Sequence, residues 1–328
     1  MGNSEILNVG CYGTNGHQIV GKLANHPRAR LTTVCEVPER HLTDNLGREN
    51  SDRVSRVGSL TDLIQAPDVD LISLCSPRRD EQSDHAICCL KAGKHVLAEK
   101  PAALTLAELE ELRTTAERTE AEFRQMGSCG QECVLSAMRK LVDEEQLGEV
   151  VQVFAQKSYP YHEGRPQDRG VDGGLIRQAG IHAVRLIQRS TGLRAERVSA
   201  TGTGLGNPKN GALQMAASLW LELENGAAAS VALNYLNPPG IGYWGNDQVR
   251  IHATGGMVEA VDGCQRQRVI FGEDEPRPIP DVPGNYPDFF DSYVDYLLDG
   301  KPMPYSHEDD IYALRTVIRA QAAKDTDA

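Results

Sequence analysis

The rhythm of hydrophobic and polar positions changes once along this 328-residue chain. From residue 6 to about residue 126, short apolar runs at 6–12, 31–36, 71–75, 95–98 and 124–126 alternate with helical stretches. These runs show little polar alternation, the texture of strands covered on both faces, so the pattern predicts βαβ units around a parallel sheet. Helix starts are marked by Ser59 with Asp62 and by Thr105 with Glu108, the second a capping-box spacing that opens a helix to about residue 122. Beyond about residue 148 the strands lengthen, with candidates at 149–158, 213–223, 227–235, 248–253 and 257–261. Turn-like Glu224-Asn225-Gly226 and Thr254-Gly255-Gly256 separate some of them, which predicts a mainly antiparallel sheet. Helical patterns at 175–191, 288–298 and 308–323 complete that half. Two loops, 159–174 and 237–247, are long and hold Tyr, Trp, His and Arg, which marks them as candidate site loops.

Composition narrows the possible partners. Lys and Arg number 34 against 46 Asp and Glu, a net charge of −12, the wrong sign for capturing nucleic acid or an anionic membrane surface. The N-terminal residues lack a basic segment followed by an apolar stretch, and no run approaches the length of a membrane span, so a soluble, cytoplasmic protein is expected. Gly2 does not open a myristoylation motif, because Ile6 stands where Ser or Thr is needed. Of the eight cysteines, Cys11, Cys35 and Cys75 fall in strand-like runs, Cys88 and Cys89 are adjacent, and no Cys-x-x-Cys occurs. Buried reduced thiols are therefore expected, with no disulfide framework and no metal. Cys129 and Cys133 lie one helical turn apart, but no histidine stands beside them to complete a tetrahedral set.

The first strand runs into Gly13-Thr14-Asn15-Gly16-His17-Gln18, where a dinucleotide-binding fold places its phosphate turn. In the Gly-x-Gly-x-x-Gly fingerprint the three glycine slots here read Gly13, Asn15 and Gln18. Asparagine tolerates left-handed backbone and its amide can donate to phosphate; glutamine has no such compensation. The second strand ends in Glu36, 20 residues past Gly16, about where a carboxylate meets the ribose hydroxyls of NAD. The same carboxylate would repel a 2′-phosphate, which favours NAD over NADP, although Arg40 follows nearby. The expected architecture is thus α/β: an N-terminal Rossmann domain over 1–126, then a C-terminal α/β domain with an open, mainly antiparallel sheet over 127–328. The C-terminal helices are free in this scheme to pack back on the first domain.

Ala92-Gly93-Lys94-His95-Val96-Leu97-Ala98-Glu99-Lys100-Pro101, with Leu71 to Pro77 and His85 upstream, resembles the Gfo/Idh/MocA family of glucose-fructose oxidoreductase and inositol dehydrogenase relatives. The likeness extends to Leu147-Gly148-Glu149-Val150 and to Gly255-Gly256-Met257-Val258-Glu259. It implies that Lys100 contacts the reacting hydroxyl beside a nicotinamide, and it puts Ser76, Pro77, His85, Glu99 and Pro101 around the cofactor. Pro101 fits this role by restricting Lys100 to extended backbone. The family's second signature, Asp-x-Gly-x-His-x-x-Asp, reads Gln178-Ala179-Gly180-Ile181-His182-Ala183-Val184-Arg185 here. The resemblance implies that His182 exchanges a proton with the carbinol oxygen, with Gln178 and Arg185 in place of the two carboxylates and Lys157 and Tyr161 on the substrate side. His162, Arg165 and Arg169 are further candidates for a hydroxylated or acidic ligand. The segment Gly127-Ser128-Cys129-Gly130-Gln131 replaces an Asn-Arg pair frequent in relatives.

Taken together, these features imply NAD-dependent oxidation or reduction of a secondary alcohol on a sugar, polyol or sugar derivative. The resemblance also implies a homodimer or homotetramer built through the C-terminal sheet. Two other outcomes stay open: glycoside cleavage or elimination with only transient sugar oxidation, and a nucleotide-sensing binding protein without catalysis.

Overall fold

The computed structural model describes residues 6–127, 132–144, 146–280, 286 and 288–326. The chain divides into two compact units. The first holds residues 1–127, 170–172 and 287–311; the second holds 128–169, 173–286 and 312–328.

In the first unit, β1 (Leu7–Tyr12), β2 (Ala29–Cys35), β3 (Ser55–Arg56), β4 (Leu71–Leu74), β5 (His95–Ala98) and β6 (Phe123–Gln125) form one sheet. All its pairings are parallel and its order is β3-β2-β1-β4-β5-β6. This is the doubly wound order, which reverses direction between β1 and β4 and opens a crevice at the carboxyl ends of those strands. The unalternating apolar runs correspond to burial on both faces, complete along β4. Ser59 accepts from the Asp62 amide, and Thr105 and Glu108 make the reciprocal capping box expected of their spacing. The helix Phe289–Asp299 also belongs to this unit. Its Phe289, Phe290, Tyr293 and Val294 join the core of Leu7, Val9 and Leu71, and the Tyr293 hydroxyl donates to the Val96 and Glu122 carbonyls at 3.2 and 3.0 Å.

The second unit carries β7 (Val150–Ser158), β8 (Ala195–Thr203), β9 (Ala216–Leu223), β10 (Ala228–Asn234), β11 (Gln248–Ala253), β12 (Gly256–Val261) and β13 (Arg266–Phe271). Their order is β13-β12-β11-β7-β10-β9-β8, antiparallel throughout except where β10 pairs with β7. The parallel pair follows from connectivity, because the chain leaves β7 through the helix Gly174–Thr191 and returns through two hairpin-like reversals. That helix buries Leu175, Ile176, Ala179, Ala183 and Leu186 in the core formed by alternate residues of β7, β9 and β10. The other face of the sheet leaves Val151, Phe154 and Trp220 exposed. Strands β8 and β13, at the two edges, and the helix Glu132–Asp143 were not among the predicted elements. Edge strands that alternate polar and half-exposed residues carry little hydrophobic signal.

No helix among the described residues is long and apolar enough to cross a membrane. Among the same residues no cluster of three or more His, Cys, Asp or Glu is placed to hold a metal ion. Cys129 and the segment 128–131 lie outside the described residues, and Cys133 is exposed at the start of its helix.

Candidate functional site

The turn after β1 is built by its own backbone and by the two residues that replace glycine. Gly13 has φ of +66°, and a Cβ there would lie 2.2 Å from the Cys75 carbonyl oxygen, so this slot admits only glycine. Gln18 stands in the third glycine position and compensates by hydrogen bonding. Its amide nitrogen donates to the Tyr12, Gly13 and Ser73 carbonyls at 3.2, 3.0 and 3.3 Å, while its oxygen accepts from Ser73 Oγ at 2.6 Å and from the Ile19 amide at 2.9 Å. Asn15 donates its side-chain amide to the carbonyls of Pro77 at 2.9 Å and Val171 at 2.7 Å. The turn's backbone amides divide in an alternating way: Gly13 donates to Cys35, Asn15 to Cys75, and His17 to the Glu99 carboxylate. The amides of Thr14 and Gly16 have no acceptor among the described residues, which leaves two donors for an anion. The following helix, Val20–Leu23, is a single turn.

Glu36, exposed and with φ of +54°, closes β2 at the same end of the sheet. Its carboxylate faces the Tyr12 hydroxyl, and burial together with the Glu36 charge pushes that phenol up to about 12. Tyr12 meets the edge of the His85 ring at 5.3 Å, and His85 Nδ1 lies 3.0 Å from Ser76 Oγ. Burial holds the His85 imidazole below its ordinary range, against the pull of Glu81 and Asp84. Arg40 lies on the surface and pairs with Asp44 at 3.4 Å.

Beside this crevice lies a buried ionic knot. Glu99, 1% exposed, accepts from the His17 amide at 3.0 Å and lies 3.1 Å from His17 Nδ1 and 3.9 Å from Lys100 Nζ. Burial alone would raise its carboxyl, but the His17 hydrogen bond and the charges of Lys100 and Arg79 hold it below the usual carboxylate range. Lys100 is 3% exposed and joined to Pro101 by a cis peptide bond. Arg79, which sequence reasoning missed, braces the knot. It donates to the carbonyls of Asn15, Ser76 at 3.0 Å and Lys100 at 3.4 Å, and to Gln82 Oε1 at 3.0 Å. Its only sequence signal is its place two residues after Pro77 at the exit of β4.

In the second unit His182 and Gln178 are half-buried, one helical turn apart on Gly174–Thr191. Arg185, offered as a substrate contact, is fully buried on the same helix. Lys157 pairs with Asp247 at 2.5 Å and lies 4.9 Å above the Tyr159 ring. Tyr161 is half-buried, and among the described residues its hydroxyl has no hydrogen-bond partner.

The arrangement in the first unit fits a dinucleotide: a doubly wound sheet, free amides at Thr14 and Gly16, and an exposed carboxylate at the end of β2. Comparison with known proteins agrees. Residues 5–125 match the family described as "Oxidoreductase family, NAD-binding Rossmann fold", and residues 135–259 match the "GFO/IDH/MocA C-terminal domain". A curated relative, trans-1,2-dihydrobenzene-1,2-diol dehydrogenase of Sus scrofa, is 26% identical over 243 residues, 69% of this chain and 66% of the relative. The matched region thus spans just under two thirds of that protein's length. A solved Thermotoga maritima structure is 25% identical with a TM-score of 0.84, covering 98% of this chain and 99% of its own. The WlbA dehydrogenase of Bordetella pertussis, solved with NADH and UDP-GlcNAcA, shares the fold with a TM-score of 0.79 at 18% identity, covering 98% of each chain.

Proposed function

This chain belongs to the Gfo/Idh/MocA family of NAD-binding oxidoreductases, and we propose that it oxidises or reduces a secondary alcohol on a sugar, polyol or sugar derivative with NAD. The observation that carries the reading is the knot at the end of β5, where a buried Lys100 is held beside an ionised Glu99 next to the dinucleotide crevice. When bound, the nicotinamide supplies the hydride acceptor or donor. The amides of Thr14 and Gly16 would hold the diphosphate, and Glu36 would accept from the ribose hydroxyls, which disfavours a 2′-phosphate. Ser76, Pro77 and His85 would line the same crevice from the β4 side.

Lys100 is assigned to the substrate oxygen. Its Nζ would orient that oxygen and exchange the hydroxyl proton, while Glu99 and the Arg79 brace fix its direction. His182 is the second proton-transfer group, and Gln178, where the family pattern has a carboxylate, supplies no charge to hold an imidazolium. Copies of the chain are proposed to meet through the open face of the second sheet, where Phe154 and Trp220 lie exposed, as a homodimer or homotetramer.

The test is a screen of sugars, sugar acids and inositols for NADH formation by the full chain, run beside an assay for cleaved glycoside or ketosugar without NADH. Substrate-dependent NADH formation is expected. Cleavage products without NADH accumulation would overturn simple dehydrogenation, and failure to bind NAD in calorimetry would overturn the enzymatic reading altogether.

A further inference from the structure

The turn after β1 carries a histidine whose ring is held at one nitrogen and open at the other. His17 Nδ1 lies 3.1 and 3.2 Å from the two oxygens of Glu99, and the His17 backbone amide donates to the same carboxylate at 3.0 Å. The Glu99 side chain is 2% exposed, whereas that of His17 is 76% exposed. The two nitrogens of an imidazole point in nearly opposite directions, so a ring fixed through Nδ1 to a buried acid presents Nε2 to solvent. Among the described residues Nε2 has no partner. His17 directly follows Gly16, whose amide, with that of Thr14, is a free donor of the same turn.

The proton on that ring is placed by Glu99. Its carboxyl is kept ionised by the His17 hydrogen bond and by the charges of Lys100, 3.9 Å away, and Arg79. An ionised carboxylate only accepts hydrogen bonds, so Nδ1 is the nitrogen that carries the proton. In the neutral ring Nε2 is then a lone pair, which repels an anion. In the imidazolium Nε2 donates, and the charge strengthens the contact. An anion seated on the turn therefore favours the imidazolium and draws a proton onto His17. The charges around the ring come from Glu99 and Lys100 at the end of β5 and from Arg79 after β4, on which Asp172 also acts.

We infer that His17 is a third donor to the diphosphate of the dinucleotide, beside the amides of Thr14 and Gly16, and that it takes up a proton when the cofactor binds, so that NAD affinity falls as pH rises. This rests on the dinucleotide reading of the crevice and not on the hydride chemistry. Glu99 then acts on two neighbours at once, setting the tautomer of His17 at the phosphate turn and standing beside Lys100.

The probes are NAD and ADP-ribose, whose diphosphates are esterified on both sides and keep their charge from about pH 5.5 to about pH 8, the span over which an imidazole titrates. Calorimetry on the full chain, repeated in two buffers of different ionisation enthalpy, reads both the affinity and the protons exchanged. Both probes are expected to bind about threefold to tenfold more weakly at the upper end of that span, the scale of one solvent-screened, charge-assisted contact, with net proton uptake in between. His17→Gln should abolish the uptake and bind at all pH values at the level wild type reaches at high pH. His17→Arg, a cation throughout, should bind without uptake and without the pH dependence, and it gives the reading if the glutamine variant does not fold. Wild-type binding that is independent of pH or takes up no proton would overturn the inference. So would a pH dependence that survives in both His17 variants and disappears in His85→Gln, the other histidine of this crevice. Failure of both probes to bind at any pH would overturn the dinucleotide reading and the inference with it. Proton uptake that is lost in His17→Gln upholds the role of His17 whether or not any substrate yields NADH.

Discussion

Replacing Glu99 by glutamine tests whether the knot at the end of β5 is ionic. The carboxylate is 1% exposed and has Lys100 Nζ at 3.9 Å and the His17 amide at 3.0 Å, with the Arg79 guanidinium also contributing to its electrostatics. Glutamine keeps an acceptor for the His17 amide but removes the charge that offsets two buried cations. Breaking a buried charge arrangement by removing one member costs about 3–5 kcal/mol, and the retained hydrogen bond places this case near the lower end. The His17 ring contributes little to that figure, since its side chain is 76% exposed and solvent screens it. With an m-value of about 3 kcal/mol/M in urea, a loss of about 3 kcal/mol moves the midpoint by about 1 M.

The pH dependence gives the sign. Glu99 is held below its ordinary value of 4.5 in the folded chain, so its contribution is complete above that value and is lost as pH falls through the folded value. The gap between wild type and Glu99→Gln should therefore be full at neutral pH and should close as the solution is acidified below 4.5. Urea unfolding followed by far-ultraviolet circular dichroism is the appropriate assay, because both tryptophans, Trp220 and Trp244, lie in the second unit and do not report on this one. Equal midpoints at neutral pH, or a gap that widens on acidification, would refute the argument.

Lys100→Ala should lower turnover by about a hundredfold to ten-thousandfold with NAD affinity nearly unchanged, and His182→Ala should cost less; initial rates and cofactor titration check both. NAD should bind at least about tenfold more tightly than NADP, and Glu36→Ala should narrow that difference, as parallel calorimetric titrations would show. Gly13→Ala, which forces a side chain into φ of +66° and against the Cys75 carbonyl, should destabilise the first unit by at least about 2 kcal/mol and weaken NAD binding. Urea midpoints and titration measure the two effects.

The local code of this chain was written plainly enough to give the parallel strands β1, β2, β4 and β5, the capping box at Thr105 and Glu108, and the change of texture at the second sheet. Each depends on neighbours a few positions apart, so burial on both faces or a side chain reaching one helical turn leaves a readable pattern. The turn at Gly13 was legible from its place after the first strand, whereas the Glu99-Lys100-Pro101 triplet was legible only through the resemblance to a known family. Tertiary structure decided the rest. Only the meeting of β1 with β4 shows that Gln18 repairs a missing glycine through Ser73, that Asn15 spends its amide on Pro77 and Val171, and that Arg79 ties Asn15 to Lys100. These partners lie 55 to 156 positions apart in the chain, or, for Arg79, on two segments at once. Whether an arginine is solvated or buried also has no local signature: Arg165 and Arg40 read alike as loop or surface cations. One is buried against the rings of Tyr235 and Tyr159 while the other reaches into solvent beside Asp44. What fixes the difference is the packing of β7 against β10, which brings those two rings together.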